Sequence, residues 1–495
     1  MDFDQHIKGS SGGNVVAVIA TLPADLLTPL SVYLKLGADG TDSFFLESVE
    51  GGEALARYSF IGFDPYLRVT GNSHRVVVAD SKGQENVLNT PLIEFLREHF
   101  AQNRLVEKDE LPSFVGGAIG VMGFSCAAWF EPVLKHSLRS TGNDAVFMFC
   151  RTVVAFDHAR QVIKIITLVF ADEAAGNKRK LEALIQTARE KNEETVRRLE
   201  STYIGLPTEI PTDAANGLVS NFEREDFEAA VRRVKEYIAA GDAYQVVLSQ
   251  RFERRTTASP VAIYRAMRSL NPSPYMFLIN LGGRSLIGAS PEMLVRCRGG
   301  ELEYRPIAGT RPRGTTAEDD VRLAAEMAAD QKEVAEHLML VDLGRNDLGR
   351  VAEYGTVEVS GLMSVEKYSH VQHLVTYLSA RLRSGLDCFD ALAACFPAGT
   401  VSGAPKVRAI EIISDLEPTP RGIYSGAVGY FDYSGNMDTC IAIRTIELSD
   451  GIAKIQAGAG IVADSDPAAE YQETINKASA LIRAIEIAEG RNDRQ

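Results

Sequence analysis

The sequence predicts an α+β fold built on antiparallel or mixed β-sheets, and three observations carry that reading. Strand-like runs and helical patterns are interspersed along 495 residues without the strand–helix–strand rhythm of a parallel sheet. Glycine-bearing turns, such as Gly282-Gly283 between two apolar runs, occur at hairpin spacing. Apolar residues at 45% against charged residues at 24% describe a globular chain, long enough for more than one core.

Taken in order, residues 1–25 read as a leader with one possible strand. Residues 28–36 have a proline near their start and fit a short helix or a strand. SFFLESV (43–49) and RYSFIGF (57–63) are β-prone and flank a Gly-bearing loop, EGGEA. Strand patterns continue at 66–71, 74–80, 144–157 and 162–170. Residues 113–124, SFVGGAIGVMGF, suit close packing or a turn into a helix. They lack the Lys-Ser/Thr of a phosphate-binding loop. Residues 178–200 form a highly charged helix in which Leu181, Leu184 and Ile185 allow a narrow buried stripe. Residues 203–217 are rich in Pro and Thr and carry no periodicity. They suggest a division into domains 1–215 and 216–495.

The second half opens with an amphipathic helix over 225–240. Phe227, Val231, Val234 and Ile238 share its face, and Gly241 suits its C-terminal stop. A strand at 244–255, a helix at 259–270 and a hairpin at 275–290 follow. Residues 302–314 lead from strand to loop. The acidic helix 330–347 comes next, with an apolar stripe of Val334, Leu338 and Val341. Residues 362–385 are strand-like, and 390–418 give helix, Gly/Pro-rich loop and helix. Residues 422–448 and 452–465 are strands with Gly-bearing turns. The helix that starts at Pro467 has Asp466 as its N-cap.

Two acidic pairs stand out. Glu333 and Glu336 share one helix face, and Glu470 and Glu473 share another. Either pair alone fits a solvated surface, where charged side chains usually sit. Together they could hold one hard divalent cation; Mg²⁺ often takes one or two carboxylates, a substrate anion and waters.

The formal net charge of −14 argues against non-specific binding to nucleic acid or anionic membrane. An anionic substrate would need local Arg, Lys or metal. The early apolar run at 15–22 is too short to span a bilayer. Six cysteines show no C-x-x-C spacing, so neither a zinc site nor a disulfide framework is expected, and a reduced cytoplasm is.

Several distinctive segments surround the acidic helices: ASPEML, PIAGTRPRG, AEHLMLVDLGRNDLGRV, PAGTVSGAPK, GAVGYF, CIAIRT and QAGAG, of which PIAGTRPRG, PAGTVSGAPK, GAVGYF and QAGAG read as loops. In this order they resemble the chorismate-utilising enzymes over 222–485. FLESVEGGEALARYSFIG resembles the N-terminal region of the family's anthranilate-forming members. The resemblance implies mixed or antiparallel sheets in a sandwich-like core with helices outside. The N-terminal domain would hold part of a tryptophan regulatory pocket, and the C-terminal domain would bind chorismate.

Residue by residue, the resemblance implies Mg²⁺ on Glu336 and Glu473, supported by Glu333 and Glu470. Substrate contacts would come from Tyr424, Arg444 and Lys477. Gly309, Thr310, Gly458, Ala459 and Gly460 would be loop residues offering backbone N–H groups. Glu292 would be the general acid, with His373 serving the later elimination. Glu47, Ser48, Pro274, Tyr275 and Met276 would form the pocket for inhibitory L-tryptophan.

Two positions discriminate within the family. Ala308 stands where aminodeoxychorismate synthases carry a nucleophilic lysine. Gln245 stands where isochorismate and salicylate synthases carry a water-activating lysine. Both absences favour ammonia as nucleophile: amination of chorismate at C2 with loss of the C4 hydroxyl, then pyruvate elimination to anthranilate. No cysteine sits on the sharp Gly-rich turn of a glutaminase. A separate glutamine amidotransferase subunit is therefore implied, in an assembly with two copies of each subunit. The alternatives are another chorismate aminase, or a non-catalytic tryptophan-sensing subunit.

Overall fold

The structure, a computed structural model, describes residues 13–37, 42–48, 57–106, 111–138, 140, 142–201, 217–368 and 371–490. Two large sheets dominate it. The first runs β1 (Val15–Pro23), β10 (Val162–Phe170), β9 (Thr152–Asp157), β3 (Tyr58–Phe63), β2 (Ser43–Glu47), β13 (Tyr275–Leu281). It continues β14 (Arg284–Ser290), β23 (Thr445–Ser449), β24 (Ile452–Ile461), β12 (Gln245–Arg255), β11 (Val219–Ser220), with β20 (Gly403–Ala404) also on β12.

The second sheet runs β17 (Ile307–Pro312), β19 (Val371–Arg381), β16 (Glu301–Tyr304), β15 (Met293–Arg298), β22 (Met437–Ile441), β21 (Ala427–Asp432). It continues β7 (Gly117–Met122), β8 (Ala145–Cys150), β4 (Leu67–Gly71), β5 (Val76–Asp80), β6 (Glu85–Leu88), with β18 (Glu358–Lys367) also on β19. The ladders joining these strands are antiparallel.

Strands from both sequence halves share each sheet: β2 pairs with β13, and β7 pairs with β21. The expected division at 215/216 falls within 202–216, outside the described residues, as do the EGGEA loop and His370.

Apolar burial explains the layering. Phe44 and Phe45 are neighbours on β2, so their side chains point to opposite faces, and both are fully buried. Phe44 enters the core between the sheets, where Phe60, Phe114 and Tyr430 meet across the gap, the last two with ring centroids 4.5 Å apart. Phe45 enters a second core beneath the helices Pro29–Gly37, Pro260–Leu270 and Pro467–Ala488. Both faces of the first sheet are thus covered, which is why its strands read as continuous apolar runs rather than alternating ones. Truncating either phenylalanine to alanine would cost about 3–5 kcal/mol.

The segment 28–36 resolves as a helix. The Gly-rich 113–124 contributes the central strand β7, whose Gly117 permits close approach: a Cβ there would lie 2.0 Å from the carbonyl oxygen of Phe431.

Three expectations are corrected. The acidic helix, Gln331–Gly349, buries only Val341 of the stripe Val334, Leu338 and Val341. Its inner face is His337, Leu340, Val341, Gly344 and Leu348, and Leu338 is 43% exposed. The helix lies on β17 and β19, and Gly344 meets the Tyr304 ring of the adjoining β16, which rotates the inner face away from Leu338. PIAGTRP lies largely in β17 rather than in a loop, paired to β19 with an irregular register between Ala308 and Arg311. GAVGYF and QAGAG are likewise in strands, β21 and β24. Their glycines serve close approach within a sheet rather than turns.

Candidate active site

A cavity of about 260 Å³ opens where β12 and β24 of the first sheet meet the acidic helix and the closing helix Pro467–Ala488. Both helices are anchored by their caps. Asp330 accepts from the backbone N–H groups of Lys332 and Glu333, and Asp466 accepts from Ala469. This directs Glu336 from one helix, and Glu470, Glu473 and Lys477 from the other, into one space. Tyr424, Arg444, Gly458, Gly460 and Glu292 line the same cavity.

Glu292 sits between β14 and β15 and is 7% exposed. Burial pushes its carboxyl up to about 8, held back by the Thr400 hydroxyl and Lys477. The carboxyl is therefore protonated at neutral pH. Its backbone carbonyl accepts from Ile441 N–H at 3.0 Å, and Ser290 Oγ donates to the Ile441 carbonyl at 2.8 Å.

Lys477 Nζ lies 2.5 Å from Glu473 Oε1 and donates to the Gly458 carbonyl at 2.9 Å. Arg444 Nη1 donates to the Lys477 carbonyl. Arg444 has a left-handed backbone, φ +50°, as does Ser425 beside Tyr424, φ +64°. Such conformations in residues with a Cβ cost about 1–3 kcal/mol each and gather where a site demands them.

β24 lines the cavity with its backbone. The N–H groups of Val247 and Ser249 on β12 turn away from β24, to the Ser402 carbonyl and the Glu417 carboxylate. Their partners Gly460 and Gly458 therefore direct their own polar groups away from β12, and the Gly458 carbonyl does reach Lys477. Ala459 alternates to the opposite direction, is fully buried and does not line the cavity. A Cβ on Gly458 would lie 2.8 Å from the Tyr424 hydroxyl.

Gly309, Thr310, His373 and Glu333 form a neighbouring cluster rather than the cavity wall. His373 Nδ1 is 2.8 Å from the Gly309 carbonyl and 3.2 Å from Thr310 Oγ1. A carbonyl only accepts, so Nδ1 carries the proton and Nε2 is left as the acceptor. Burial, with nearby Arg444 contributing, holds His373 below its ordinary pKa and neutral. Glu333 pairs with Arg311 at 3.0 Å.

The carboxylates suit a cation. Burial and the charge of Glu333 raise the pKa of Glu336; burial, and to a lesser degree Glu473, raise that of Glu470. Gln245 donates to Glu336 at 3.4 Å. Among the described residues, no three potential ligands stand together as a ready cage.

Several lining residues had no assigned part: Lys332, Thr400 and Gln456. Lys332 was detectable, being one turn before Glu336 on the same helix. Gln456 carried no comparable signal.

A second cavity, of about 700 Å³, brings together Glu47, Ser48, Pro274, Tyr275 and Met276. Tyr275 donates to Asp438 at 3.0 Å. The Glu47 carboxylate is engaged by Arg268 at 2.7 Å and by the Tyr264 hydroxyl at 2.9 Å.

Residues 41–483 match the family model described as chorismate binding enzyme. The chain belongs to that family. Among members of the chorismate binding enzymes, it is 45% identical to the anthranilate synthase component 1 of Aquifex aeolicus, covering 99% of this chain and 98% of that protein. It is 44% identical to the protein of the same name from Pseudomonas aeruginosa, with 99% of each covered. The crystal structure of anthranilate synthase component I from Streptococcus pneumoniae superposes with a TM-score of 0.73 at 35% identity, covering 93% of this chain and 98% of that one. The menaquinone-specific isochorismate synthase of Escherichia coli, 20% identical with a TM-score of 0.71 over 96% of this chain and 95% of that one, shares the fold. No helix among the described residues is long and apolar enough to cross a membrane.

Proposed function

We propose that this chain is the chorismate-aminating subunit of an anthranilate synthase. The observation that supports it most is the convergence of a protonated Glu292, the cations Arg444 and Lys477, and the acidic set Glu336, Glu470 and Glu473 on one cavity. The names and near-complete coverage of the relatives point the same way.

Chorismate carries two carboxylates. Arg444 and Lys477 offer them charge-assisted hydrogen bonds, and the outward backbone of Gly458 and Gly460 lets the ring lie close to β24. Mg²⁺ would be held by Glu336 and Glu473, with Glu333 and Glu470 nearby, and would neutralise a substrate carboxylate. Ammonia attacks C2, the ring double bonds shift, and the C4 hydroxyl departs as water with the Glu292 proton. His373 Nε2, in the cluster beside the cavity, would then take the C2 proton as the C3–O bond breaks; the enolpyruvate released takes a proton on its methylene carbon, from the imidazolium or water, to become pyruvate, and the ring becomes aromatic. Ala308 and Gln245 offer no lysine to compete with ammonia or to activate water.

A separate glutamine amidotransferase subunit would deliver ammonia, in the cytoplasm and in an assembly with two copies of each subunit. The larger cavity would bind L-tryptophan as inhibitor. Ser48, Pro274, Tyr275 and Met276, which line that cavity, would contact the ligand, while Glu47 would act through its ties to Arg268 and Tyr264. The boundary near residue 215 would separate a regulatory from a catalytic portion of the chain.

The test is the purified chain with chorismate, Mg²⁺ and ammonium at alkaline pH, read by anthranilate fluorescence. Product with ammonium but none with glutamine is expected. A non-fluorescent aminated product would identify a different chorismate aminase, and glutamine-dependent turnover would overturn the partner assignment.

A further inference from the structure

Arg421 lines no part of the substrate cavity, yet its side chain is only 1% exposed and its guanidinium is fully committed. Nε donates to Glu417 at 2.9 Å and 3.2 Å. Nη1 donates to the Val401 carbonyl at 2.7 Å and to Ser425 Oγ at 3.1 Å. Nη2 donates to the Val247 carbonyl at 2.7 Å and to Glu417 at 2.7 Å. All five N–H directions are thereby used. The guanidinium carbon also lies 4.6 Å from the centroid of the Phe124 ring and 5.5 Å from that of Tyr424.

Two of the acceptors, Val247 and Val401, line the cavity, as does Tyr424, whose ring the guanidinium faces. Ser425, directly after Tyr424, holds its left-handed backbone while bonded to Arg421. Glu417 extends the network: it accepts from Ser249 N–H at 2.9 Å and Oγ at 2.7 Å, and Ser249 Oγ accepts from Gln456, another lining residue, at 2.8 Å. Glu417 neutralises the arginine, so the guanidinium is not available to recruit an anion. What it supplies is a rigid plane that references three walls to one another, which the point charge of lysine cannot reproduce.

We infer that Arg421 is a positioning residue, setting the pitch of Tyr424 against the substrate by tying its neighbour Ser425 to the Val247 and Val401 carbonyls. This rests on the reading of Tyr424 as a substrate contact in the proposed reaction. Arg421→Lys keeps the charge opposite Glu417 but loses the planar fork. Its kcat and KM for chorismate with ammonium, and its chorismate affinity by calorimetry, are compared in the wild-type and Tyr424→Phe backgrounds. Thermal unfolding reports the fold.

The expected loss in kcat/KM is about ten- to a hundredfold, the scale of a site displaced by up to 1 Å. In the Tyr424→Phe background the same change should cost less than about threefold, because the two residues act as one unit. Ser425→Ala removes a single bond, leaves the ion pair intact, and should show a smaller loss with the same dependence on Tyr424. It carries the test if Arg421→Lys does not fold. Equal losses in both backgrounds, or a fully active Arg421→Lys, would overturn the inference while leaving the functional reading intact. A wild-type chain that neither converts nor binds chorismate would overturn both.

Discussion

Lys477 Nζ lies 2.5 Å from the Glu473 carboxylate, one helical turn further along the closing helix. The pair ties a residue assigned to the substrate to one assigned to the cation. The two side chains are 37% and 47% exposed, so the contact is worth at most ~1 kcal/mol of stability, and its value is functional. Glu473→Gln should raise the Mg²⁺ concentration for half-maximal rate by about tenfold or more, at the low end of effects around metal sites. Lys477→Met should raise KM for chorismate and leave the Mg²⁺ requirement unchanged. Metal titrations of both variants check this; an unchanged Mg²⁺ curve for Glu473→Gln removes that residue from the cation site.

Glu292 links activity and stability through one proton. Its carboxyl titrates near 8 in the fold and near 4.5 as a free side chain. Between those values the folded state binds the extra proton, so this group's contribution to stability falls as pH rises through that window. The reactive acid form is lost over the same upper range. At fixed free ammonia, kcat should decline above about pH 8. Glu292→Gln should lose about 10²–10⁴ in kcat yet melt above wild type at pH 9, with the gap closing toward pH 5. Paired pH–rate and pH–melting curves decide; a variant less stable than wild type at pH 9 contradicts the burial argument.

Gly458→Ala probes the backbone wall. The new methyl would meet the Tyr424 hydroxyl at 2.8 Å and the Leu248 carbonyl at 3.0 Å, and the backbone carbonyl cannot move aside cheaply. A stability loss of about 1–3 kcal/mol is expected. KM for chorismate should rise as Tyr424 is displaced. Denaturant melts and steady-state kinetics measure the two effects; an unchanged KM would mean that substrate does not approach β24.

In the larger cavity, Ser48→Phe would place a ring in the space assigned to the tryptophan side chain. Inhibition by L-tryptophan should weaken by at least about tenfold, the loss of roughly 1.4 kcal/mol of binding, with basal activity retained. Titration of both proteins against tryptophan is the check. If neither responds, the cavity does not bind the effector.

Local signals carried much of the fold. Asp466 and Pro467 announced the closing helix, Gly282-Gly283 its hairpin, and Phe227, Val231 and Val234 a buried helix face. These depend on caps, turn conformations and periodicity, which act over a few residues. The acidic helix was legible as a helix, but not its rotation: Leu338 is exposed because His337 and Gly344 face β16 and β19. Glycine-rich QAGAG resembled a turn, because close approach of Tyr424 to Gly458 cannot be seen in one segment.

By itself the sequence determined the family motifs, their order, and the residue types on which the chemistry rests: Glu292, Arg444, Lys477 and the two acidic pairs. Tertiary structure alone decided which of these share a cavity. Glu470 joins Glu336 and Glu473 there, whereas Glu333 turns to Arg311 and His373 to the Gly309 carbonyl. It also decided how Glu292 titrates and why Arg421 matters. The reason is physical: a side chain's type travels with the sequence, but burial, proton affinity and a shared guanidinium plane arise only when distant segments pack against one another.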